Sequence, residues 1–262
     1  MLRPVHALLI LFGVVLLSAP AAADINWLRP ELRVSTGAHF LTGDYGQEED
    51  TDIWYVPLSV KLDWDSFLVQ LTVPYIRITG PGNVVGGVDA PVVVGQFDFE
   101  TETNDGLGDI VLAGTYVFWE LPDWLPLFEL TAKVKFPTAD EDKGLGTGEY
   151  DFGFQVDASK TFGRVTPFAS FGYRVLGDLR VVALDNTFFA SFGVGYEVTE
   201  SVSGGLIYDW RQSSTSSISD GHELSPYMLW KLGRFRVQPY GVVGFTEGAA
   251  DWGGGLQLSV IY

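Results

Sequence analysis

Beyond residue 23 the chain holds two histidines, His39 and His222, and the second has Glu223 and Ser225 close by. A serine, a histidine and an acid together can activate a hydroxyl for attack on an ester, and such a set is defined by geometry, not by order. No G-x-S-x-G turn is present to display the nucleophile. A second group of chemical interest is acidic: Asp44, Glu48, Glu49, Asp50 and Asp52; Asp89, Asp98, Glu100, Glu102 and Asp105; and Asp140, Glu141, Asp142 and Glu149. Carboxylates in such density could hold Ca²⁺ or Mg²⁺, with Asp140, Glu141 and Asp142 the tightest set. None has the spacing of a defined cation loop, so a solvated acidic rim is the plainer reading. The third group is spread along the chain at alternating positions. Arg33, Lys61, Lys133, Lys135, Arg174, Arg211 and Arg236 are set against Glu129, Asp157, Glu197 and Asp209. Charges of both signs on one face of a sheet either line a wet interior and tune what passes, or satisfy one another. No cofactor is implied by any of these groups.

The elements that carry these residues alternate with period two almost throughout. About twelve segments are expected, at 31–42, 52–63, 66–78, 107–119, 126–137, 149–161, 164–176, 186–198, 201–212, 222–231, 234–246 and 251–262, long for strands of a soluble sheet. One face is bulky: Trp54, Val56, Leu58, Val60 and Leu62 in the second segment, and Phe67, Val69, Leu71, Val73 and Tyr75 in the third. The other face is small or polar and carries the charges named above. Bulky faces on every strand exceed what one barrel interior holds. Turned outward into lipid they make sense, and closure follows because an open edge in hydrocarbon leaves unpaired backbone groups. The fold class expected is all-β, a transmembrane antiparallel β-barrel of about twelve strands. Connections alternate between tight (63–65, 162–163, 199–200, 232–233, with 121–126 slightly longer) and long (43–51, 79–106, 138–148, 177–185, 213–221). That places short turns on the periplasmic side and loops outside. Trp54, Trp64, Trp119, Trp124, Tyr150, Trp210, Trp230, Trp252 and Tyr262 sit near segment ends, as interfacial girdles require.

Residues 1–23 read as a secretory signal peptide: Arg3, an apolar run from Ala7 to Leu17, then Ala21-Ala22-Ala23. The barrel domain is expected over 24–262. Cysteine is absent, so disulfides play no part, and a net charge of −17 argues against binding nucleic acid through its phosphates.

Two stretches, NDGLGDIVLAGTY at 104–116 and VKFPTADEDKGLGTGEYD at 134–151, resemble the MetA-pathway phenol degradation family of outer-membrane proteins. The resemblance implies a barrel that helps small aromatic or other organic molecules cross the outer membrane. The local reading of the same residues is turn chemistry, with glycines allowing left-handed φ and Pro137 ending a strand.

Together these readings predict a channel-like barrel in the Gram-negative outer membrane that passes small solutes. Its expected partners are the lipid bilayer, lipopolysaccharide and the outer-membrane assembly machinery, which would read the last strand ending at Tyr262. A hydrolase of the lipase or lipid A deacylase type, and a structural barrel with a plugged lumen, are the rival readings.

Overall fold

In the computed structural model, residues 30–82, 84–87, 91–94, 101–179 and 183–262 are described. The expected signal peptide at 1–23 lies outside them, as do Asp89, Asp98 and Glu100. The strands are β1 (Glu31–Gly43), β2 (Thr51–Trp64), β3 (Phe67–Gly80), β4 (Val84–Val85), β5 (Val92–Val93), β6 (Glu102–Leu107), β7 (Ile110–Phe118) and β8 (Leu127–Phe136). They continue with β9 (Asp151–Ser159), β10 (Val165–Val175), β11 (Thr187–Thr199), β12 (Val202–Arg211), β13 (Gly221–Leu232), β14 (Phe235–Gly244) and β15 (Trp252–Ile261). β4 and β5 form a small separate pair. β6 and β7 run end to end as one stave, so twelve antiparallel staves close the barrel. Closure is made by β1, which pairs with β2 on one side and with β15 on the other.

The alternation seen in the sequence sets which way each side chain points. Trp54, Val56, Leu58 and Val60 are exposed on the outer wall, while Ile53, Tyr55, Ser59 and Lys61 between them are buried. The same holds at Phe152, Phe154 and Val156 against Asp151, Gln155 and Asp157. Trp54, Trp64, Trp124, Tyr150, Trp252 and Tyr262 are exposed near strand ends, where aromatic belts meet the membrane interface. A closed, lipid-facing wall of hydrogen-bonded strands is what the hydrocarbon layer demands. Three of the tight turns use left-handed residues to reverse the chain, Asp65 at φ 48°, Gly163 at φ 63° and Gly233 at φ 62°.

Two expectations need correction. The fourth stave starts at Glu102, not at 107. Its first five residues, Glu102 to Gly106, carry no apolar side chain, so no apolar period marks them before Leu107. They are held by pairing with Tyr75–Gly80 of β3, including a Thr79–Thr103 hydroxyl pair at 2.9 Å and a Tyr75–Asp105 contact. The interior face is also not uniformly small or polar. Leu41, Ile53, Tyr55, Ile76, Ile78, Ile207, Tyr227, Tyr240 and Val242 all point inward and are buried. These rings and branched chains sit at the polar-face parity, between the small and polar residues of the same strands.

Candidate functional site: the barrel interior

The interior divides into zones that the strand register creates. Near the periplasmic ends of β1, β2, β8 and β9 lies a belt of charge. Arg33 donates to Glu31 at 3.1 Å. Lys61 has Arg33, Glu31, Asp63 and Glu129 as its charged neighbours, and Glu129 stands beside Asp157 across the β8–β9 ladder. Asp157 accepts from Ser170 Oγ at 2.5 Å and from Gln155 Nε2 at 2.6 Å, while Lys133 Nζ donates to Gln155 Oε1 at 3.4 Å. Arg236, half-buried, donates to the carbonyl oxygens of Gly233 and Phe235.

Toward the outer ends of β7, β8 and β9 the structure encloses a lysine completely. Lys135 is 0% exposed, with Nζ 2.9 Å from both Asp109 Oδ2 and Asp151 Oδ2. Nζ also donates to Thr147 Oγ1 at 2.7 Å, so one hydroxyl and two carboxylates surround the ammonium. Asp109 Oδ1 accepts from the amides of Thr138 and Ala139, and Asp151 Oδ1 from the amide of Gly177. A β-bulge makes this arrangement. Tyr75 faces Leu107 and Thr72 faces Val111, so Val73 and Pro74 are opposed by Gly108, Asp109 and Ile110. The extra residue lets Gly108 and Asp109 both point inward while Leu107 and Ile110 keep the outer parity. Gly146 must be glycine for the same reason: a Cβ there would lie 2.4 Å from Asp109 Oδ2.

A third zone spans the outer ends of β10 to β13. Arg211 forms a two-pronged pair with Glu223, at 2.9 and 2.5 Å, and Asp209 accepts from Ser191 Oγ at 2.5 Å. Arg174 lies over the Phe189 ring at 4.6 Å. A small cavity of about 30 Å³ opens beside Arg174, Thr187 and Arg211, room for a few waters.

The fourth zone is aromatic. His39 Nδ1 and Tyr240 OH are 2.7 Å apart, and the His39 ring lies 6.0 Å from that of Tyr55. In register, Tyr55 faces His39, His39 faces Gly255, Gly255 faces Tyr240, and Tyr240 faces Tyr227, which faces Gly205. The rings lie over these glycines. A Cβ on Gly255 would be 2.6 Å from His39 and 2.8 Å from Tyr240, and one on Gly205 would be 2.6 Å from Tyr227. Phe168 over Gly193 and Phe189 over Gly172 repeat the device, each at about 2.1 Å from the added atom. Ring-on-glycine packing puts large flat groups inside a barrel of modest width without forcing the strands apart.

β4 and β5, the described strands of the connection between β3 and β6, pack against the outer part of this interior. Val84 and Val93 pack with Leu41, Ile53, Ile76 and Leu145, and Ser214 Oγ donates to Val93 O at 2.8 Å. Val85, Val92 and Val94 pack with Leu176 and Leu184. In the loops, burial pushes the Tyr45 hydroxyl pKa up, and Glu223 adds to the rise while Arg211 opposes it. Asp251 is raised by partial burial and by the charges of Asp44 and Asp50. A carboxyl raised on folding favours the folded loop below its unfolded pKa, and that contribution is lost as pH rises through the folded value. The protection factor of amides in the 245–251 loop, the intrinsic exchange rate at each pH divided by the observed one, is therefore expected to be higher at about pH 4 than at about pH 7, and Asp251→Asn should flatten the difference. Equal protection factors at both values would refute it.

The residue pattern of one protein family matches residues 50–260, most of the chain. It is described as "Putative MetA-pathway of phenol degradation". The chain belongs to this MetA phenol-degradation family. Among solved structures, the COG4313 outer membrane channel from Pseudomonas putida F1 superposes with a TM-score of 0.69 at 12% identity, covering 92% of this chain and 100% of that one. The translocator domain of the autotransporter NalP from Neisseria meningitidis gives 0.49 at 10% identity, covering 91% and 90%. The CymD monoaromatic hydrocarbon channel gives 0.45 at 9%, covering 89% and 88%. At these identities the first likeness shows a shared fold, and the other two reflect little beyond barrel walls. No protein of curated function matches the sequence. With its lipid-facing wall and closed topology, this MetA-family chain is a Gram-negative outer-membrane barrel.

In the MetA-family barrel, the Gly-Leu-Gly-Asp and Phe-Pro-Thr…Gly-Thr-Gly-x-x-Asp blocks converge on Lys135 and form its clamp. Arg33, Lys61, Glu129, Lys133, Lys135, Asp157, Arg174 and Asp209 are buried on the inner face, and Arg211 and Arg236 partly so. They fall into three separate groups instead of one ladder. The serine–histidine–acid set does not assemble. His222 points to the outer wall against Tyr208 OH at 2.6 Å, Glu223 points inward, and His39 is held by Tyr240 on β14. Asp140, Glu141 and Asp142 lie on and beside a short 3₁₀ turn at Glu141–Lys143, and among the described residues no cluster of three or more candidate ligands is gathered for a metal. Sequence reasoning passed over Tyr55, Tyr227 and Tyr240. The available signal was their parity, since each shares a face with polar neighbours such as Ser59, Ser225 and Gln238.

Proposed function

We propose that this barrel is an outer-membrane channel that lets small solutes pass, with hydrophobic or aromatic compounds the class its interior suits. The observation that carries the reading is the buried tyrosine–histidine patch inside a closed, lipid-facing barrel, with a charged belt at the opposite end. Rings and branched side chains accept apolar bodies, while the belt of Arg33, Lys61, Glu129, Asp157 and Arg236 faces the periplasmic side and Lys133 stands above it. The fold shared with the COG4313 outer membrane channel supports the same reading. Lipopolysaccharide is the expected neighbour of the outer girdle. The final strand, whose Tyr262 amide bonds Leu32 O at 2.8 Å, is the segment the assembly machinery would read.

A plugged lumen is favoured by one observation, the burial of Val84 and Val93 against the outer part of the interior. Single-channel recording in planar bilayers separates the two. Discrete openings are expected, and Lys133→Glu should shift the cation-to-anion permeability ratio toward cations. A wild-type barrel that inserts yet never opens would sink the channel reading.

A further inference from the structure

We propose that the inner face of the β13–β14 seam is a binding niche for a neutral solute presenting an N–H beside a C=O, a primary carboxamide or a lactam. The inference deepens the channel reading and rests on it only for the route by which solute arrives. Ser225, Tyr227 and Gln238 face the interior at 1%, 4% and 1% exposure. Tyr227 pairs with Tyr240, so Gln238, two residues before Tyr240, stands diagonal to Tyr227 at a spacing long side chains bridge. Ser225 precedes Tyr227 by two on the same face. Ser225 Oγ, Tyr227 OH and both Oε1 and Nε2 of Gln238 are enclosed, and none has a hydrogen-bond partner in the protein. Native interiors pair almost every such atom, so several orphans on one short stretch of wall call for an explanation.

The chemistry of the orphans selects the ligand. The Gln238 amide offers one donor edge and one acceptor edge side by side, and another amide complements both at once. The two hydroxyls can each give or take a further bond. The neighbouring ions are already committed: Glu223 is paired with Arg211, and Arg236 donates to Gly233 and Phe235 carbonyls. A charged solute would lose its hydration here without gaining a counterion, whereas a neutral one would not.

The seam itself can yield. Pairs form at Glu223–Gly244, Leu224–Val243 and Tyr227–Tyr240, then resume at Trp230–Val237, and the gaps fall beside Pro226 and Pro239. Proline has no N–H to give a ladder, so side chains can part here with few backbone bonds to break. The Tyr227 and Tyr240 rings supply a flat apolar surface for the rest of the solute.

Benzamide, benzoate and toluene are the probes, titrated calorimetrically into the detergent-solubilised full barrel and applied to single channels. Benzamide is expected to bind saturably, about tenfold or more tighter than the other two, and to block current. Gln238→Leu should weaken it about tenfold and Tyr227→Phe several-fold. Gel mobility of unboiled samples checks that each variant is folded, and Ser225→Ala serves as a milder third variant. Equal affinity for all three probes, or unchanged benzamide affinity in both Gln238→Leu and Tyr227→Phe, overturns the niche. Saturable benzamide binding by a barrel that never conducts leaves the niche standing and sinks the channel reading instead.

Discussion

Replacing Lys135 with alanine is expected to destabilise the barrel by about 3–5 kcal/mol, the largest single effect at any interior position. The substitution removes the one cation between Asp109 and Asp151 and leaves both carboxylates enclosed. An isolated buried charge is far more costly than an absent pair, because nothing replaces the lost hydration. The damage should concentrate where the clamp ties chain segments together: the bulge at Gly108–Asp109, the Thr138–Ala139 amides and the Gly177 amide. A triple variant with Asp109→Asn and Asp151→Asn added should recover part of the loss, since neutral amides tolerate enclosure better. The readout is the urea midpoint for unfolding in lipid vesicles. A Lys135→Ala barrel as stable as the parent would mean that the clamp is electrostatically idle. Thr147→Val, which removes only the hydroxyl bonded to Nζ, should cost less, about 1–2 kcal/mol.

The second large effect concerns the outer wall. Phe192 is exposed near the middle of β11, across from Tyr208, where the bilayer is driest. Phe192→Arg is expected to cost about 2–4 kcal/mol, as for a cation at the midplane of a barrel's lipid face. Glu48→Arg in the outer loop makes the same side chain at an exposed polar position and should stay within about 0.5 kcal/mol. Both are measured by folding into vesicles of defined thickness. If Phe192→Arg were neutral there, the bulky face would not be meeting acyl chains, and the membrane reading would fail at its root.

The two substitutions also divide the questions that a sequence can and cannot answer. Period-two patterning made the wall legible because lipid contact acts on each residue locally. Every outward position of β2 or β9 must be apolar whatever its neighbours do, so eleven of the staves are placed within a few residues of where the alternation puts them. β6 escaped because a polar strand leaves no period to read. Its existence depends on pairing with β3, which lies far off in sequence. The glycines and Pro137 of the family blocks were readable as turn chemistry, yet what the turns serve was not. That Gly108, Asp109, Thr138, Gly146 and Asp151 surround Lys135 follows only when the bulge turns Asp109 inward.

Composition and alternation alone thus determined that this chain is a closed outer-membrane barrel with charges on its inner face, because exposure to hydrocarbon is a constraint each residue meets separately. Which of those charges share a cluster, that His39 belongs with Tyr240 and not with Ser225, and that tyrosines lie over glycines on the next stave were decided by tertiary structure. These depend on cross-strand register between segments up to the full length of the chain apart, as when β1 meets β15. Register is set cooperatively by closure, and no local pattern encodes it.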